Sequence, residues 1–191
     1  MIEVDNPFGH ILYEIEMYLY TYKLISDNQI GINLIIEARA IHLRNLAVFF
    51  YKEKTKRYWH VGDFIDDIGS VKLLTDETLF KDIKNYTSRA TAHLSDDRLK
   101  ETHKRETMEC YEKAHPIIID AITSMFTSLD NHVKPKYNSN WLDPNVQNLE
   151  SHIKEYLLSS NITADINATQ RSNYGQECHQ KIRCVGTTGA D

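Results

Sequence analysis

Arg89 and His93 stand four residues apart in SRATAHL, and His42 stands two residues before Arg44 in EARAIHLRNL. A guanidinium can hold a phosphate and stabilise charge developing on it, and an imidazole can move a proton near neutral pH. With two histidines the acid and base roles divide, so Arg89, His93 and His42 together would suffice for metal-independent cleavage of a phosphodiester. Glu37, Arg44 and Asn45 accompany His42 as polar interruptions of an otherwise apolar stretch and form a polar seam with it. The same residues also make sense as packing chemistry. Glu37 and Arg44 are seven residues apart, about 20° around a helix, so they can pair with each other, or Glu37 with Arg89 of a facing helix. His42, Asn45 and His93 would then satisfy buried polar groups, and buried networks more often specify packing than catalysis.

The element that carries the seam must be a helix from about Ile30 to Lys54. Leu34, Ile41 and Val48 point one way around it, Ile35, Leu46 and Phe50 another, Ile36 and Ala47 a third. A helix apolar nearly all round is expected to be buried, and its polar groups must then find partners elsewhere in the chain. A first helix is expected from Asn6-Pro7 to about Asp27, with Asn6 as cap and a buried stripe through Phe8, Ile11, Leu12, Ile15, Tyr18 and Leu19. Glu14 falls largely off that stripe. A third helix follows, capped by Thr75 and buried through Leu79, Ile83, Tyr86, Ala90 and Leu94, and it would bring Arg89 and His93 to one edge. A fourth runs from about Lys104 to Asn131, with Pro116 predicting a kink or a junction of two helices near His115. A loop to Pro144 and a last short helix to about Leu158 complete the series.

The fold class predicted is all-α: a bundle of four to five helices over residues 1–158 and a flexible tail over 159–191, where large apolar residues and periodicity disappear together. The 191 residues are 41% hydrophobic, with only seven glycines and four prolines, which disfavours a turn-rich β design. A net charge of -5 disfavours bulk electrostatic gripping of nucleic acid, leaving a local contact with RNA as the form such binding would take.

No cofactor or metal is expected. Asp63, Asp66 and Asp67 lack the regular ligand alternation of a calcium loop, and Cys178, His179 and Cys184 lack a fourth ligand for zinc. Three cysteines make no disulfide framework, and the N-terminus has neither a basic nor an apolar leader segment, so a cytoplasmic protein is expected. No apolar run reaches the roughly 20 residues of a membrane span. The aromatics and cations of YKEKTKRYWH suggest contact with a partner protein or a second copy.

Glu37, His42-Leu43-Arg44-Asn45-Leu46, Phe49-Phe50, Asp63-Phe64 and Arg89-(x2)-Ala92-His93-Leu94-(x3)-Arg98 together resemble a group of bacterial helical proteins with an E…HxRNLxxFF…AHLxxxR pattern and no assigned activity. The match covers Ile36 to Arg98, about a third of the chain. More distantly the chain is similar to the HEPN superfamily of helical bundles from toxin–antitoxin, phage-defence and RNA-processing systems. That resemblance implies an interaction or toxin/defence module, or alternatively a metal-independent ribonuclease using an Arg/His pair. HEPN nucleases separate the two by four to six residues with a polar residue after the Arg; here three intervene, and Ala90 follows Arg89.

Overall fold

Asn6 starts the first helix, α1 (Pro7–Lys23), by accepting the Phe8 N–H on its side-chain oxygen at 3.0 Å, while its amide donates to the Asn140 carbonyl at 3.1 Å. Pro7 occupies the first turn, where no N–H is required. Phe8, Ile11, Leu12, Ile15, Tyr18 and Leu19 form its buried stripe as the periodicity predicts. The computed structural model describes residues 6–24, 29–92 and 101–159, with the side chains at 29, 30, 32, 33, 89–92 and 101–107 left aside. The expected tail, from 160 onward, lies outside the described residues.

The second helix, α2 (Gln29–Phe50), is central: it packs on α1, on α3 (Glu77–Ala92) and on α4 (Glu101–His132), and α3 and α4 pack on each other. It ends at Phe50, short of the expected Lys54. There Leu74 N–H donates to the Phe50 carbonyl (2.9 Å) and Lys52 N–H to the Leu74 carbonyl (3.1 Å), and these bonds draw the chain out of the helix. Asp76, not Thr75, caps α3, accepting the Leu79 N–H at 2.9 Å. The chain stays helical through Pro116, so α4 is one helix and the alternative of two helices meeting at His115 is not adopted. The expected loop after α4 contains a 3₁₀ turn, Pro135–Tyr137, and one helical turn, α5 (Asn138–Trp141), which buries Trp141 beside Phe8.

The connector between α2 and α3 is packed, with Phe64 and Ile65 fully buried. Gly62 N–H donates to His60 Nδ1 at 3.0 Å, which requires that nitrogen to be unprotonated; the proton therefore sits on Nε2, which donates to the Tyr51 carbonyl at 2.8 Å. The packing at Gly62 is close: a Cβ there would come within 2.7 Å of Ile68 Cδ1, whose side chain would have to shift, and 3.0 Å of His60 Nδ1. Asp63 accepts from His60 N–H at 3.0 Å and pairs with Lys54. Burial raises the Asp63 carboxyl, but the hydrogen bond from Lys54 and that from the His60 backbone outweigh it, and the net shift is downward.

The chain divides into two compact units, Met1–Glu150 and Ser151–Asp191; residues 144–150 of the first and 151–159 of the second are helical. Among the described residues no helix is long and apolar enough to cross a membrane.

Candidate interaction groove

Packing on three neighbours leaves α2 one open side, contrary to the expectation that it is buried all round. Ala40, Leu43, Leu46, Ala47 and Phe50 are buried, yet Leu34 is 62% exposed and Ile41 46%, and Arg44 and Asn45 also face water. Over the C-terminal half of α2 this open side is the floor of a cleft of about 820 Å³. Arg44, Asn45 and Val48 lie on the floor; His10 and Glu14 of α1 form one wall, and Lys81, Lys84 and Asn85 of α3 the other. The far end is closed by Tyr58 and Trp59, each about half exposed.

The α1 side of the groove is tied down by one carboxylate. Glu14 Oε2 takes a contact from His42 Nδ1 at 2.7 Å and a hydrogen bond from the Asn45 amide at 3.0 Å. Tyr13 closes over the same imidazole edge-on, 5.9 Å between centroids. His42 is thereby 8% exposed and occupied by packing. The opposite wall carries the Glu77–Lys81 pair at 2.6 Å, and Lys84 lies over the Phe80 ring. Arg44 has no ion-pair partner among the described residues.

The residues singled out from sequence therefore separate. His42, Arg44 and Asn45 come together at the groove, with His42 and Asn45 sharing Glu14. Glu37, two turns before Arg44, is half-buried on the same helix. Arg89 belongs to α3, four residues beyond Asn85, but its side chain lies outside the described residues, as does the whole of His93. Among the described residues no group of three or more His, Cys, Asp or Glu is placed to hold a metal.

Sequence reasoning missed two features. Glu14 falls largely off the α1 stripe and so carries no signal of its own, although the polar groups of α2 call for partners elsewhere in the chain. The other is a cluster on α1, α2 and α4. The Arg39 guanidinium lies 3.9 Å from the Tyr22 ring centroid and His115 stacks on the same ring at 3.9 Å. Two groups so close cannot share a face, so Tyr22 is held between them. The Tyr18 hydroxyl contacts His115 Nδ1 at 3.0 Å and the Tyr22 hydroxyl at 3.3 Å, and Arg39 donates to the Thr21 carbonyl at 2.7 Å near the end of α1. Burial raises the Tyr18 phenol well above its ordinary value, Tyr22 adds to the shift, and Arg39 partly opposes it. Tyr111, also buried and electrostatically coupled to Arg39 and Tyr22, has a hydroxyl with no hydrogen-bond partner among the described residues.

Comparison of the chain with protein-family models, with curated proteins and with solved structures returns no match.

Proposed function

We propose that the protein is a helical interaction module that receives an amphipathic helix along the open side of α2. The observation that carries this is the row Leu34, Ala38, Ile41, Asn45 and Val48, spaced four, three, four and three residues. That is the seam spacing of one helix packed on another, and here it lies on the face that α1, α3 and α4 leave uncovered. The row spans about 21 Å of helix, longer than the cleft needs for a small ligand and suited to several turns of a partner. Arg44 and Lys84 flank it, beside the Glu77–Lys81 pair, and favour acidic positions at the edges of the incoming helix. The HEPN-like pattern of the sequence supports the same class, an interaction or toxin/defence module.

A library of displayed amphipathic helices selected on the purified protein tests the groove directly. Binders are expected that lose affinity on Ile41→Arg and Val48→Arg, with the helical signal of each variant intact. Binders indifferent to both substitutions, or none at all, would reject the groove. The competing ribonuclease, carried by Arg89 and His93, is separated by incubating the protein with single-stranded RNA in EDTA: cleavage lost in His93→Ala would favour it, and intact RNA leaves the interaction module.

A further inference from the structure

We infer that the helix received by the groove carries a basic edge toward α1 and an acidic edge toward α3, and so lies along α2 in one direction only; this rests on the groove reading above and names the chemistry of its occupant. At about 100° per residue, His42 and Phe49 fall on one side of the row through Ile41, Asn45 and Val48, and Arg44 falls on the other. His42 is bound to Glu14 of α1, so the first side is the α1 side. Arg44 therefore belongs to the side of the opposite wall, the one α3 builds with Lys81, Lys84 and Asn85.

The charges still open to a partner divide the same way. On the α1 side Glu14 uses one oxygen, Oε2, for both His42 and Asn45, and Oε1 has no hydrogen-bond partner among the described residues. The Glu14 side chain is 27% exposed and lines the cleft. The Asn45 amide nitrogen donates to that carboxylate, which fixes the amide orientation and leaves its Oδ1 as a second acceptor. On the α3 side Arg44 and Lys84 line the same cleft, and neither has an ion-pair partner among the described residues, whereas Lys81 is held by Glu77. Glu53 and Lys54 also line the cleft, but past the end of α2, and Lys54 is paired with Asp63. One wall thus offers acceptors and the other cations.

A helix lying with its apolar seam on α2 presents one edge to each wall, and turning it end for end exchanges the edges. A partner with Lys or Arg along one edge and Asp or Glu along the other therefore meets opposite charges on both sides in one direction and like charges in the other. Like charges brought together cost affinity and select against the wrong arrangement. A helix acidic on both edges gains at Arg44 and Lys84 but sets a carboxylate against Glu14. One that is basic on both edges does the reverse.

Three designed helical peptides of about 18 residues, sharing one Leu seam, test this on the full-length protein. One carries Lys along one edge and Glu along the other, the second Glu on both edges, the third Lys on both. The mixed peptide should bind roughly tenfold tighter than either of the others. In protein carrying Arg44→Glu and Lys84→Glu together, the peptide with Lys on both edges should become the tightest. Direction is read from Trp59, about half exposed at the closed end of the cleft, since Trp141 is buried. A nitroxide quencher on one terminus of the mixed peptide should dim the fluorescence and the same group on the other terminus should not; exchanging the Lys and Glu edges should move the effect to the other terminus. Equal affinity for the three peptides, or quenching from the same terminus after the edges are exchanged, would overturn the proposed edges. If that binding were still lost on Val48→Arg, the groove itself would stand. Should none of the peptides bind, the groove and its edges would fall together.

Discussion

Glu14 and His42 meet across the α1–α2 crossing at 2.7 Å, and the same carboxylate oxygen holds the Asn45 amide at 3.0 Å. One acid on α1 thereby fixes the register of α2 at the point where the groove begins. Glu14→Ala is expected to lower stability by roughly 1–3 kcal/mol, because the buried imidazole loses its partner while the Asn45 amide can turn to water. Urea denaturation of Glu14→Ala, His42→Ala and the double variant checks this. Strictly additive losses would show that the two residues do not interact.

Tyr111 and Tyr18 should respond oppositely to removal of the phenolic oxygen. Tyr18→Phe deletes contacts with His115 and Tyr22 and should cost about 1 kcal/mol. Tyr111→Phe removes a buried hydroxyl with no partner among the described residues, and should be neutral or raise the thermal midpoint. A loss from Tyr111→Phe as large as that from Tyr18→Phe would mean that the hydroxyl is satisfied in solution.

Asp63 gives the connector a pH dependence. Its carboxyl is held below the ordinary 3.8, so its contribution is complete above that value and is lost as the pH falls through the lower folded-state value. Asp63→Asn should therefore destabilise at neutral pH and converge on wild type in strong acid. Thermal midpoints measured down the pH scale decide it, and a constant gap between the two proteins would contradict the assignment.

Cys110 is buried, and burial, with Asp82 as the lesser cause, pushes its thiol up to about 11. At neutral pH it is a protonated, enclosed thiol and should be alkylated only as fast as the protein unfolds. In a chain with Cys178 and Cys184 replaced by Ser, iodoacetamide labelling followed by mass spectrometry should be slow under native conditions and fast in denaturant. Rapid native labelling would place the thiol at the surface.

The parts of this fold legible in the amino-acid order are those governed by near neighbours in the chain. Pro7 after Asn6 announces the start of α1, and the recurrence of Phe8, Ile11, Ile15 and Tyr18 every three or four residues defines its buried face, because helical geometry alone aligns them. The same logic identified α3, α4 and the packed connector around Phe64 and Ile65. It also required partners for the polar residues of α2, since a buried charge cannot be left alone. The tertiary structure alone decided which residues those partners are. Glu14 meets His42 only because α1 and α2 cross at one angle and register, and Tyr22 lies between Arg39 and His115 only because three helices converge there. Nor could periodicity reveal the open side of α2. Leu34 and Ile41 are as apolar as the buried Leu43 and Leu46, and hydrophobicity states a preference for burial without saying how many neighbours are available to provide it.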